Sequence, residues 1–261
     1  MLKSGLVSVT FRQLQAQRVL ELASEANLLG IEWGGDIHVP HGDESVATEV
    51  GRMTRDAGLE VAGYGSYYRL GECELQGLNF QSVLDAAVAL GAPTIRVWAG
   101  SKGTDEATDN DWDRVIKDAQ RVGGLAQQAG LRVCLEYHGQ TLTDHGEAAV
   151  DLHNRIAQPN VDLLWQPLYN QSFDEQIAAL RAILPVLSNT HVFHWLKTPD
   201  GKPDLHPLAE GTEPWGRFLE VLQRQEGQHY ALIEFVRGGE PPQLLDDAAV
   251  LNDLLAQHAS R

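Results

Sequence analysis

Two glutamates in this chain each close a short apolar run: Glu136 in RVCLEYHG and Glu234 in YALIEFVRG. Side chains alternate along a β-strand, so Glu136 shares a face with Cys134, and Glu234 shares one with Leu232. A third run between them, NTHVFHWLK, reads as a strand ending near His194, which shares its face with Val192. Strands of one closed sheet that each end in an inward acid or imidazole gather a ligand cluster at the mouth of a barrel. Carboxylate oxygens and an imidazole suit a divalent cation, and paired carboxylates suit proton transfer.

Such residues converge only if the strands that carry them belong to one sheet. Strand-like and helix-like segments alternate along the whole chain. LVSVTF (6–11) is followed by the helical spacing of RQLQAQRVLELASEANLLG, and IEWGG by a histidine-containing loop and a helix ending near Gly58. EVAGYGSYY, TIRVWAG, RVCLEYHG, VDLLWQP, NTHVFHWL and YALIEFV each precede a further helical pattern. Strands alternating with helices imply parallel pairing through right-handed crossovers. A doubly wound open sheet would carry a glycine-rich loop after its first strand, but that position reads TFRQLQAQ. The expectation is an α/β fold, a single (β/α)8 TIM barrel spanning 1–261. Catalytic groups in such barrels sit at the C-terminal strand ends. Glu136, His194 and Glu234 fall there, and so does Gln166.

Composition narrows the partners. With 261 residues and 43% apolar side chains the chain can bury one large core. A formal charge of −16 argues against a nucleic-acid partner. The two cysteines, Cys73 and Cys134, offer neither a disulfide framework nor a metal-finger spacing, and Cys134 reads as a small buried hydrophobe. MLKSGLVSVT has no stretch suited to a signal peptide, and no run reaches membrane-spanning length. A cytoplasmic protein without a membrane partner is therefore expected. Barrels of this size often pair through their outer helices, so a homo-oligomer is an open expectation.

Other residues read two ways. Glu32 and Arg96 share the barrel face predicted for the glutamates, as a structural ion pair or as substrate contacts. His38 and His41, in DIHVPHGD after the second strand, are either solvated loop residues or contacts to a substrate. His138 lies just beyond the fifth strand, where it could orient Glu136 or touch substrate. His145 suits the surface. His206 and Lys197, around the seventh strand's loop, are candidate substrate contacts, with solvation as the alternative. Trp33, Tyr67, Trp98 and Trp195 could floor a sugar site or simply pack the core.

Taken in order, GIEWGG, CLEYHG, LLWQPLYN, FHWLK, PLAEGTEPW and LIEFV resemble the xylose isomerase-like TIM-barrel superfamily, particularly its sugar phosphate isomerase/epimerase branch. That resemblance implies one divalent cation (Mn2+, Mg2+, Zn2+ or Co2+) held by Glu, Asp, His and Glu from the fifth to eighth strands. Carried over, Glu136 matches the first Glu, His194 the His and Glu234 the second Glu. Gln166 stands where the Asp would be, and Tyr169 where a histidine often follows it. Trp195 is the other candidate for the register of the His. A glutamine carbonyl coordinates a hard cation more weakly than a carboxylate.

The resemblance and the residues together imply an isomerase or epimerase acting on a small carbohydrate, a sugar, keto-sugar or polyol. Glu136 and Glu234 would carry the proton through an enediolate, and His38, His138, Tyr169, Lys197 and His206 would bind substrate. The alternatives are a dehydratase or lyase acting on a keto-sugar or keto-inositol from the same first step, and a non-catalytic sugar-binding barrel.

Overall fold

A computed structural model describes residues 1–259. Eight parallel strands close into a barrel: β1 (Leu2–Val7), β2 (Gly30–Gly34), β3 (Glu60–Arg69), β4 (Thr94–Trp98), β5 (Arg132–Glu136), β6 (Val161–Trp165), β7 (Leu187–Val192) and β10 (His229–Ile233). β1 closes the ring by pairing with both β2 and β10. Eight helices cover it, α1 (Ala16–Glu25), α2 (Glu44–Asp56), α3 (Phe80–Leu90), α4 (Asp109–Gln128), α5 (Gly146–Ile156), α6 (Phe173–Ile183), α7 (Thr212–Leu222) and α8 (Pro241–Ala259). The alternation read from sequence is therefore a single (β/α)8 barrel. No helix among the described residues is long and apolar enough to cross a membrane.

Period-two alternation sorts the strand side chains into two cores. Outward residues such as Ile31, Ile95, Val97, Val133, Leu135 and Ile233 pack beneath the helices in the main apolar cluster. Inward residues Val7, Val9, Ala62, Tyr230 and Leu232 form a smaller cluster inside the barrel. Above that apolar plug the inward positions turn polar, which is where the site lies. Cys73 and Cys134 are free and buried, and burial pushes the Cys134 thiol up to about 12, as expected of an inert side chain.

Two boundaries differ from the sequence reading. The first strand occupies Leu2–Val7, and Ser8–Phe11 form a 3-10 turn. The seventh strand ends at Val192, and the chain continues as an antiparallel hairpin, β8 (His194–Lys197) with β9 (Pro203–His206), where sequence suggested only a loop.

Helix packing around the barrel is close at Gly51, where an added Cβ would lie 2.3 Å from the Leu90 carbonyl oxygen, fixed backbone at the end of α3. Gly51→Ala is expected to cost about 1–3 kcal/mol through overpacking. Urea denaturation checks this, and an unchanged midpoint would show that α2 and α3 can separate freely.

Candidate active site

The barrel's C-terminal end carries six buried polar side chains in one group: Glu32 on β2, Arg96 on β4, Glu136 at the end of β5, Gln166 just past β6, His191 on β7 and Glu234 just past β10. Register explains why they meet. Neighbouring positions in a parallel sheet share a face, and Arg96 lies beside Cys134, while His191 lies beside Leu232 of the inner cluster. Glu234 follows Leu232 by two residues and shares its inward direction; its N–H donates to the Val192 carbonyl at 3.0 Å.

Arg96 joins the group together. Its Nε donates to Glu32 Oε1 at 2.7 Å, and its Nη1 donates to Glu136 Oε2, so the pairing with Glu32 read from sequence is present. Trp98 Nε1 donates to the same Glu136 oxygen, and Gln166 Nε2 donates to Glu136 Oε1 at 3.0 Å. The guanidinium lies flat against the β3 backbone at Gly65, where a Cβ would come within 2.6 Å of Arg96 Nη2 and 2.8 Å of Glu32 Oε1. Only glycine leaves that space. His191 sits between two acids, with Nε2 3.4 Å from Glu32 Oε2 and Nδ1 3.1 Å from Glu234 Oε2. Glu136 Oε1 lies 4.0 Å from the same Nδ1.

Charge follows from these contacts. Burial disfavours an ionised Glu32, but Arg96 and His191 overcome it and hold the carboxyl at about 2. Burial likewise opposes ionisation of Glu136, and Arg96, His191 and the Trp98 N–H bring it below the usual carboxylate range. Burial also works against a charged His191, yet Glu234 and Glu32 raise it to about 10. The group therefore favours one more positive charge than Arg96 supplies.

A divalent cation fits that demand. Glu136, His191 and Glu234 each offer a ligand atom, all within 4.8 Å of one another. His191 Nδ1, which faces Glu136 and Glu234, and Gln166 Oε1 are both buried without a hydrogen-bond partner. His191 Nε2 faces Glu32, the carboxylate–imidazole arrangement that orients a metal-binding histidine. Three carboxylates and Arg96 carry a net charge of −2, which a dication neutralises while His191 stays neutral.

Arg96, Glu136, Gln166 and Glu234 line a cavity of about 1060 Å3, while Glu32 and His191 are buried and do not line it. His138 and Tyr169 line it, and so do Tyr67, Trp98 and Trp195. The His138 ring stacks on Trp98 with centroids 4.8 Å apart, and its Nδ1 contacts the Gly139 carbonyl at 2.6 Å.

Other expectations are corrected. His194 does not join the carboxylates: it opens the hairpin, half-buried, with its ring edge-on to His206 at 6.1 Å. Its parity with Val192 points away from the lumen, because a one-residue change of register reverses the face of a strand side chain. His191 takes its place. His38 is buried against Ser8 Oγ at 2.9 Å and the Leu14 carbonyl at 3.1 Å, so both ring nitrogens tie loops together outside the cavity. Lys197 is exposed on the hairpin, and His206 bonds Glu210 and Asp204, at 2.7 and 3.1 Å; neither lines the cavity. Trp33 packs outside the barrel, its Nε1 bonded to Thr54 at 3.1 Å. Arg12, on the loop after β1, lines the cavity and was not singled out from sequence. A lone arginine next to a strand end is the only sequence signal that could have marked it.

Arg96→Met should destabilise the fold by about 3–5 kcal/mol, because it leaves Glu32 and Glu136 buried without their counter-charge. A loss under about 1 kcal/mol in urea denaturation would show the guanidinium is not the group's electrostatic centre. Calorimetry with Mn2+ separates the two histidines. His191→Ala is expected to abolish binding and His194→Ala to leave it unchanged; the reverse pattern would restore the register read from sequence.

None of the curated proteins matches the sequence. Among solved structures, a probable 3-DHS dehydratase, AsbF, from Bacillus anthracis is similar with a TM-score of 0.79 at 18% identity, over 96% of this chain and 99% of that one. A D-psicose 3-epimerase gives a TM-score of 0.72 at 15% identity, covering 97% and 99%. A xylose isomerase-like TIM-barrel protein from Mycobacterium smegmatis in complex with magnesium gives 0.73 at 14%, covering 99% and 98%. At these identities the likeness is one of fold. The family model for xylose isomerase-like TIM barrels, however, matches residues 20–254, nearly the whole barrel and every residue of the buried polar group. The chain belongs to the xylose isomerase-like TIM-barrel family.

Proposed function

We propose that this protein is a metal-dependent isomerase or epimerase acting on a keto-sugar or related polyol. The observation that carries the reading is the convergence of the Glu136 and Glu234 carboxylates, which line the cavity, with the wholly buried His191. Glu136, His191, Glu234 and the Gln166 carbonyl would hold a divalent cation, which when bound polarises a substrate carbonyl and so acidifies the adjacent C–H.

The two carboxylates are held differently. Glu136 is fixed by Arg96, Trp98 and Gln166, with both oxygens engaged. Glu234 pairs with His191, has none of the three side-chain hydrogen bonds that hold Glu136, and lies next to Phe235, itself partly open to the cavity. Glu234 is thus the freer base and Glu136 the anchored one. In this reading Glu234 takes a proton from the carbon beside the substrate carbonyl, and an enediolate forms. Glu136, ionised at the start, takes the proton of the adjacent substrate hydroxyl and returns it at the adjacent carbon or on the opposite face, while Glu234 gives its proton back to the substrate oxygen. Arg96 and Trp98 keep Glu136 ionised and oriented between turnovers. The buried floor excludes bulk water, so the carbanionic carbon is not quenched at random.

Solvent-deuterium uptake by a panel of keto-sugars, followed by mass spectrometry, tests the proposal. Glu136→Gln and Glu234→Gln should each lower the exchange rate by about 10²–10⁴-fold. Full exchange in both variants would remove the carboxylates from the mechanism. A product lighter by one water would show instead that the first proton abstraction leads to elimination.

A further inference from the structure

The cavity is larger and more aromatic than a single small sugar requires. Its volume of about 1060 Å3 is at the upper end of the range of roughly 300–1,000 Å3 common for small-molecule sites. Aromatic rings line two arcs of its wall. On the β3–β5 side Tyr67 meets Trp98 edge-on at 5.6 Å, and Trp98 stacks on His138. On the β7–β10 side Trp195 meets Phe193 at 6.5 Å and Phe235 at 6.3 Å. In the barrel's strand order these arcs lie across the lumen from each other.

The backbone is strained where these rings are set. Among the described residues five non-glycine positions have positive φ: Asn27, Tyr67, Gln140, Ala157 and Phe235. Asn27 and Ala157 follow helix ends, where the left-handed conformation ends a helix in the usual way. Tyr67 (φ 56°), Gln140 (φ 61°) and Phe235 (φ 61°) all line the cavity. Left-handed backbone at a large aromatic residue persists only where surrounding contacts hold it, and such positions concentrate at ligand sites. Phe235 remains 37% exposed and Tyr169 40% exposed, so the walls present apolar surface to the cavity and do not merely fill it.

Charge on the walls points the same way. The lining acids are Glu136, Asp144, Glu147, Glu175 and Glu234. The lining arginines are paired: Arg96 with Glu32 and Glu136, and Arg12 with Asp36. Each lining arginine is thus already paired with a carboxylate, and Asp144, Glu147 and Glu175, the lining acids outside the metal group, disfavour a phosphate or carboxylate.

We propose that the substrate is an uncharged molecule of two parts: a hydroxy-ketone sugar unit on the polar floor, and a second ring with an apolar face held in the aromatic vestibule. The second ring is either an aryl group or another sugar, whose C–H face packs on aromatic rings in the same way. This deepens the proposed function and rests on it for the sugar unit, but the vestibule argument stands on the walls alone.

The test is titration calorimetry on the Mn2+-loaded protein. The probes are matched methyl and phenyl β-glycosides carrying a ring ketone beside a free hydroxyl (the keto forms of glucosides, galactosides and mannosides), the corresponding keto-glucosyl disaccharides, and ketohexose 6-phosphates. For at least one sugar, the phenyl glycoside or the disaccharide should bind roughly tenfold or more tighter than the methyl glycoside, the scale expected for burying a ring against aromatic surface. Whichever ring wins identifies the vestibule's occupant. Trp195→Ala, and Phe235→Leu as a second variant should the first not fold, should reduce that preference to within about twofold of the methyl glycosides if the rings supply it. Equal affinity across matched pairs, no binding by any probe, or tighter binding of the phosphates overturns the proposal. Deuterium uptake keeps the two readings apart. Exchange in simple keto-sugars without a ring preference removes the vestibule and leaves the enzyme; a ring preference without exchange in any compound does the opposite.

Discussion

Arg96 is the constraint on which the site depends. A guanidinium on β4 reaches Glu32 on β2 and Glu136 on β5, and all three are almost wholly excluded from solvent. Each charge buried alone would be severely penalised, and together they are tolerated because each is paired and hydrogen-bonded. The consequence spreads around the ring. Glu32 is fixed where it can meet His191 Nε2, so the imidazole's other nitrogen turns toward Glu136 and Glu234. Glu136 is fixed where it can accept from Trp98 and Gln166. Gly65 is required because nothing larger than hydrogen fits under the guanidinium.

The same pairing gives a physical sense to Gln166. An amide offers a donor and an acceptor where a carboxylate offers only acceptors. Here the donor is used on Glu136 Oε1, and the carbonyl oxygen is left buried and unpartnered. A carboxylate at this position would place a second negative charge beside Glu136 without bonding it. The glutamine therefore fixes Glu136 and leaves the group at a net charge of −2, which a dication would balance.

Above this rigid floor the cavity changes character. The polar atoms give way to Tyr67, Trp98, His138, Trp195 and Phe235, supplied by strand ends and by the hairpin that follows β7. Barrel geometry makes such a division natural: the strands fix the chemistry, and the loops that leave them set what can approach it.

Sequence by itself determined the barrel, because period-two and helical patterns alternate clearly from strand to strand, and because parallel strands linked by helices have few other ways to close. It also determined Glu136 and Glu234, each two residues after an apolar inward neighbour, Cys134 or Leu232, so that parity had one reading. The Glu32–Arg96 pair was legible because each alternates with apolar neighbours, Ile31 and Trp33 or Ile95 and Val97, and so faces the other way. Strand β7 was different. Ser188, Asn189, Thr190 and His191 put polar side chains on both faces, so hydropathy there could not say which face was inward or where the strand ended. Only the pairing of His191 with Leu232 on β10 decided it, and that pairing joins residues far apart in the chain. His38, Lys197 and His206 were misplaced because loop side chains carry no periodicity, and their direction is set by contacts with distant segments such as Ser8 and Leu14. Tertiary structure alone likewise assembled the aromatic walls, since the left-handed backbone at Tyr67, within the register shift between Gly65 and Tyr68 of β3, and at Phe235, just past β10, has no local signature in the residues around it.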